Sequence, residues 1–359
     1  MGLPQIIIEL KRKASTIIQR SSRGIVVLLL KDDTNVNFTR QVYKSVYDDG
    51  IATTNWTADN IDYIKKAFEG KPSTVICERI GATTTEATYT LKAALDRLES
   101  TRFNYLAMPQ ADTDDATAIA EWIDAMRSGK KKSVKAVLAN TAADSYGIIN
   151  FTTSNIAVGG KVYTTADYTA RLAGVFAGLS LDRSATYYVL NEVDSIAEPE
   201  NPDELIDKGE LVLINDGEKI KIGRAVNSKV KVDEGDISDM KKIKIIEGMD
   251  MLKDDIMSTF ADNYVGKVSN SYDNKVAFCA AVNAYLKDIT KEGVLYDQYD
   301  NSVSVDVSAQ EKYLKEQGID TSTYTEEQIK NANTGAKVFV SGGVQFQDAM
   351  EDLQLSLTM

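Results

Sequence analysis

Four short, largely apolar runs constrain this chain most, the first of them almost purely β-branched residues and leucine. They lie at residues 24–31, 73–80, 103–108 and 134–138. Each is too short for a comfortable helix and reads as a buried strand. The stretches between them carry helical spacing. At 57–70, Thr57 can cap, Ile61, Ile64 and Phe68 share a face, and Gly70 can stop the helix. At 86–100, Leu91, Leu95 and Leu98 line one side, and at 114–128 Ile119, Trp122 and Met126 are the apolar positions. Strand, helix and strand at this spacing need crossover connections, which predicts βαβ units and a partly parallel sheet. The expected fold class is therefore α/β (mixed α+β) and multidomain, built on a βαβ-containing core.

Further along, Tyr168, Leu172, Val175, Phe176 and Leu179 recur at helical spacing behind Thr165. Gly174 and Gly178 interrupt this helix at a cost of about 1 kcal/mol each relative to alanine, so another backbone is expected to approach there. Residues 198–203 read as a charged, proline-bearing loop. Residues 211–222 read as a β-hairpin, with Asp216-Gly217 as a two-residue turn. Two long helices follow. One carries a stripe of Met249, Leu252, Ile256 and Phe260, the other a stripe of Cys279, Val282, Leu286 and Ile289. Residues 308–331 hold one or two short helices.

Composition narrows the function. The 359 residues carry 53 acidic and 41 basic side chains, a net charge of −12, which disfavours a nucleic-acid surface. There is no histidine, so imidazole general bases, histidine metal sites and histidine pH switches are excluded. Cys77 and Cys279 form no metal or redox motif and read as buried thiols. The longest strongly apolar run, residues 25–30, is far below the roughly 20 residues of a membrane span. No signal peptide is legible at the start, because basic residues follow the apolar stretch.

Tested motifs fail. The Gly-Lys pairs at 70–71, 129–130 and 160–161 lack the upstream glycine and following Ser/Thr of a phosphate loop. A calcium loop starting at Asp33 has Phe38 where glycine is needed and Lys44 where glutamate is needed. Asn37, Asn55 and Asn150 sit in glycosylation-type triplets that mean little without a secretion signal. No catalytic, cofactor or metal residues are assigned.

What remains is a pair of terminal segments. Ile6, Ile8 and Leu10 alternate near the start, and Leu353, Leu355 and Leu357 alternate near the end. Residues 1–23 carry a net +4, residues 344–359 a net −3. An apolar strand at a chain end must find a sheet edge, in its own subunit or in a neighbour.

Several stretches resemble contractile-tail sheath proteins, the short sheath subunits of Gram-positive myophages and phage-tail-like bacteriocins in particular. They are the small-residue helix at 170–178, Leu181-Asp182-Arg183-Ser184, Tyr187-Tyr188-Val189-Leu190, residues 140–150, the Asp216-Gly217 hairpin, residues 242–250, Tyr264-Val265-Gly266-Lys267-Val268, Tyr272-Asp273-Asn274-Lys275 and residues 348–353. The resemblance implies a structural, non-enzymatic subunit without cofactors. Hexameric rings would stack helically around an inner tail tube, meet baseplate and tail terminator proteins, and contract to drive the tube through a cell envelope. Neither nucleic-acid binding nor membrane insertion is implied. Assembly would occur in the bacterial host cytoplasm, before release in a virion or bacteriocin. It also implies arms at 1–22 and 344–359 that reach neighbouring subunits, flanking domains at 23–100, 101–235 (with hairpin 211–222) and 236–343, the last beside the tube. The arms' opposite charges would favour their pairing, with hinges near 21–24 and 341–343 where glycine and serine permit backbone change. Lys241, Lys242 and Lys244 are the candidate tube-facing residues. The competing readings are an α/β enzyme acting on a carbohydrate or peptide, and a non-contractile tube or baseplate protein.

Overall fold

A computed structural model describes residue 18 and residues 23–84, 86–231 and 238–358. Ile6, Ile8 and Leu10 lie outside the described residues. The described chain forms two compact units. The larger draws on residues up to 254 and from 347 onward; the smaller draws on Ile18 and residues 255–346.

The larger unit is organised by β1 (Ile25–Lys31), β2 (Arg40–Tyr43), α1 (Ala58–Glu69), β3 (Thr74–Ile80), α2 (Leu91–Leu98), β4 (Tyr105–Ala107), α3 (Thr113–Ser128), β5 (Lys135–Ala139) and β6 (Ile148–Phe151). After these come the hairpin of β7 (Ile156–Val158) and β8 (Lys161–Tyr163), α4 (Thr165–Gly178), α5 (Pro202–Asp207), β9 (Glu210–Leu211), β10 (Leu213–Asn215) and β11 (Ile220–Ile222). One seven-stranded sheet runs β2-β3-β1-β4-β5-β6-β9, parallel except for edge strand β2. Alternate residues of β1 feed the two faces. Val26, Leu28 and Leu30 join the core under α1 and α4, while Val27 and Leu29 join the one under α2 and α3. Both faces are covered, so the strands read as continuous apolar runs. Cys77 lies in the first of these cores, and both cysteines are buried free thiols.

Capping sets the helix limits. Thr57 caps α1 through the Asn60 amide. Reciprocal capping boxes, Asp112 with Asp115 and Thr164 with Asp167, start α3 and α4. α2 is shorter than residues 86–100 because Thr90 is extended and caps Ala93, leaving Ala87–Tyr89 as a separate 3-10 turn. Gly174 and Gly178 do admit a neighbour: a Cβ on Gly174 would stand 2.0 Å from the Ala67 carbonyl oxygen, and one on Gly178 1.9 Å from that of Gly70.

Two local expectations change here, and one expected boundary meets a long-range pairing. A boundary at residue 100 would cut the sheet between β1 and its partner β4, so residues 23–100 do not close a core by themselves. The Asp216-Gly217 hairpin has a four-residue loop, because Asn215 pairs with Ile220. Asp216 Oδ1 accepts the amides of Glu218 and Lys219 at 3.0 and 2.8 Å, and the Asp216 amide donates to the Lys219 carbonyl at 3.2 Å, so Gly217-Glu218 sit at the tip. Residues 202–207, within and beyond the expected loop, form α5 behind the Asn201 cap.

α6 (Ile243–Asn263) begins in the larger unit and ends in the smaller one. The smaller unit then adds α7 (Tyr272–Lys291), β12 (Ser302–Val305), α8 (Val307–Glu316), α9 (Glu326–Asn331) and β13 (Val340–Gly343). On α7 the expected stripe is buried, from Cys279 at 6% exposure to Ile289 at 0%. On α6 it is not: Met249, Leu252, Ile256 and Phe260 are half-buried. The buried positions include Glu247, Asp250, Met251, Asp255 and Thr259.

Candidate assembly interface

β12 and β13 pair antiparallel as a two-stranded sheet, Ser302 opposite Gly343 through Val305 opposite Val340. The Asn283 side chain of α7 holds it, accepting the Val303 amide at 2.8 Å and donating to the Val303 carbonyl at 3.0 Å. Ser341–Gly343, expected near a hinge, are paired strand in this structure. Gly342 lets the strands touch, since a Cβ there would sit 2.0 Å from the Ser302 carbonyl oxygen. Among the described residues no third strand joins either edge. Isolated two-stranded sheets are marginal in water, and unpaired edges recruit further strands.

The C-terminal segment divides in two. Phe346 still bridges Leu295 in the smaller unit. From Gln347 on, no regular secondary structure forms, and residues 348–352 lie on the larger unit. Asp348 pairs with Lys242, Asp352 with Arg224 at 2.6 Å, and Glu351 accepts from Ser184 Oγ at 2.9 Å. Lys244, 9% exposed, donates to the Gln347 carbonyl at 2.6 Å. Beyond this root the side chains stand free: Leu353, Leu355 and Leu357 are 89%, 69% and 81% exposed. The alternating residues are thus an unpaired extended end in this chain. The three acids of the arm are engaged by residues of the larger unit. Lys242 and Lys244, expected to face a tube, hold the arm root; Lys241 is half-buried.

The root of the other arm is fixed as well. Arg23, just before β1, pairs with Glu247 on α6. Lys135, the first residue of β5, lies 2.9 Å from Glu247 and 2.8 Å from Asp250. Arg127 grips Asp250 with two bonds of 2.9 Å, and Tyr105 donates to Glu247 at 2.6 Å. Burial alone would raise the Asp250 carboxyl, but Lys135 and Arg127 hold it down at about 2. Glu247 is likewise lowered: burial opposes its charge, and Lys135 and Arg23 outweigh burial. Burial and then Glu247 push the Tyr105 hydroxyl up, keeping it a donor. Sequence reasoning missed this network. Its signal was Lys135 inside an apolar strand, and carboxylates at helical spacing on α6.

A cleft of about 640 Å³ lies where β5 ends and α3 and α4 begin, lined by Asp112, Thr113, Ala139, Asn140, Thr164 and Thr165. Doubly wound enzymes bind anionic ligands at such places through helix N-termini. Here each capping box ties up an amide of its own helix start. Among the described residues there is no cluster of three or more metal-ligating side chains, and no helix long and apolar enough to cross a membrane.

The architecture is that of contractile-sheath subunits. It matches the helical sheath of the anti-feeding prophage in its contracted state with a TM-score of 0.72, covering 100% of this chain and 99% of that one at 16% identity. It matches the sheath tail protein of Desulfitobacterium hafniense with a TM-score of 0.70, covering 84% and 94% at 16% identity. At the sequence level, the phage tail sheath protein central-domain model matches residues 81–228, and the phage tail sheath C-terminal-domain model matches residues 236–359. The tail sheath protein of Clostridium phage phiCD119 is 36% identical over 100% of this chain and 99% of its own length. The chain belongs to the phage tail sheath protein family, whose members are structural subunits of contractile tails.

Proposed function

We propose that this subunit assembles into hexameric rings stacked helically around an inner tail tube, joined by exchanged terminal strands. The sheath contracts and drives the tube through a target envelope, and the subunit itself catalyses nothing. The observation that carries this reading is the pairing of an open two-stranded sheet with an exposed alternating end. Each added main-chain hydrogen bond nets about 1 kcal/mol, and every subunit repeats the set. The N-terminal arm, with Ile6, Ile8 and Leu10, serves a second edge in the same way. Baseplate and terminator proteins close the two ends of the stack, and a tube-facing role is kept for Lys241. Assembly takes place in the bacterial cytoplasm before release in a virion or a headless bacteriocin.

Truncation after Asp352 tests this reading. Electron microscopy of the full chain should show long hollow polymers. The truncated chain should stay as discrete folded particles with unchanged circular dichroism. Polymers of ordinary length from the truncated chain would overturn arm exchange.

A further inference from the structure

We infer that Arg224, Lys242, Lys244 and Ser184 form a binding site for the acidic segment 347–352, and that this site is a clamp fixing where the donated strand begins. The inference rests on the arm-exchange reading for its purpose, but the site itself is a property of the single chain.

The site is built from two parts of the larger unit. Ser184 comes from the segment between α4 and α5, and Arg224 from the residues just after β11. Lys242 and Lys244 come from the start of α6. Lysines at a helix N-terminus oppose the helix dipole, and α6 has no acidic residue in its first turn, so helix stability does not explain them. The arm does. Asp348 meets Lys242, and the Gln347 carbonyl receives the buried Lys244 ammonium. Glu351 is the deepest contact, with its side chain 8% exposed. Its Oε1 accepts from Ser184, whose Oγ lies 3.0 Å from Thr186 Oγ1. Its Oε2 stands 3.6 Å from Arg224 Nε, while Arg224 Nη2 reaches Asp352 at 2.6 Å. Polar contact stops at Asp352, and the exposed leucines begin at the next residue.

This division has a consequence. Residues 353–358, at about 3.3 Å per residue, reach roughly 20 Å when extended. That is enough to cover a four-residue edge such as β13; on β12 the Val303 amide and carbonyl are already bonded to Asn283. The clamp attaches this length to the larger unit, although the chain has just left β13 in the smaller one. A slip of one residue would turn the leucines to the opposite face, so a fixed starting point sets the register.

The test uses the unassembled full-length chain and a carboxypeptidase, with intact mass as the readout. In the wild type, trimming should run through residues 353–359 and stall at Asp352. In the doubly charge-reversed R224E/K242E chain it should pass Asp352 roughly tenfold faster, the effect of losing two partly buried ion pairs. The swapped pair K242D/D348K keeps an ion pair and should restore the stall, which separates loss of the clamp from misfolding. Salt at about 1 M, where the Debye length is about 3 Å, should weaken the wild-type stall. Equal trimming rates past Asp352 in the wild type and the charge-reversed chain would overturn the clamp. Failure of arm exchange alone would instead show as polymers from the chain truncated after Asp352, with the stall unmoved.

Discussion

Helices α6 and α7 are nearly equal in length, 21 and 20 residues, but three carboxylates are buried on α6 where the buried face of α7 is mainly apolar. α7 buries Phe278, Cys279, Val282, Leu286 and Ile289. α6 buries Glu247, Asp250 and Asp255 alongside Ile243, Ile245, Ile246 and Met251. The first face gains from leaving water without any partner being named. The second costs desolvation unless each carboxylate meets a cation or donor. Arg23, Lys135, Arg127 and Tyr105 supply those groups for Glu247 and Asp250, and the Tyr285 hydroxyl donates to Asp255 at 2.7 Å. An apolar face tolerates approximate packing. A charged one specifies its partners, and on α6 the partners include the root of an arm.

The comparison orders the expected effects. Asp250→Ala should be the most damaging single change, because it leaves Arg127 without its carboxylate and Lys135 with Glu247 alone; about 4 kcal/mol is expected, read from the shift in the urea midpoint. Leu286→Ala on α7 removes a side chain 1% exposed and should cost about 3 kcal/mol through the cavity it leaves. If the α7 change proves much the larger, the charged face is not what holds α6.

Acid sharpens the contrast. Asp250 has its folded pKa depressed from 3.8 to about 2. Its contribution, of order 2 kcal/mol, is present above about pH 4 and is lost as pH falls toward 2. Unfolding of the Asp250→Ala chain should show a smaller loss over that window, and Leu286→Ala should show the wild-type loss. The smallest effect belongs to Lys242→Ala. Its pair with Asp348 is partly exposed, 26% and 33%, so global stability should fall by less than about 1 kcal/mol in thermal melts.

The same contrast explains what could be read in advance. Residues 24–31 declared a buried strand because both faces are apolar, and the α7 stripe was legible for the same reason. The close approach at Gly174 and Gly178 was legible because two glycines inside a helix need a reason. On α6 the apolar spacing pointed to Met249, Leu252, Ile256 and Phe260 as the buried stripe, since a carboxylate's sequence does not say whether a cation waits opposite it. The entry of β4 beside β1, across position 100, is a long-range pairing that local pattern does not reveal. The terminal alternation was visible, but its division at Asp352 depends on Arg224, 128 positions away from the acid it binds.

A density map of the assembled polymer tests the central claim most directly. At an edge of the sheet formed by β12 and β13, the account predicts a third strand bearing Leu353, Leu355 and Leu357, traceable to a different subunit. Bare edges, or a third strand belonging to the same subunit, would contradict it.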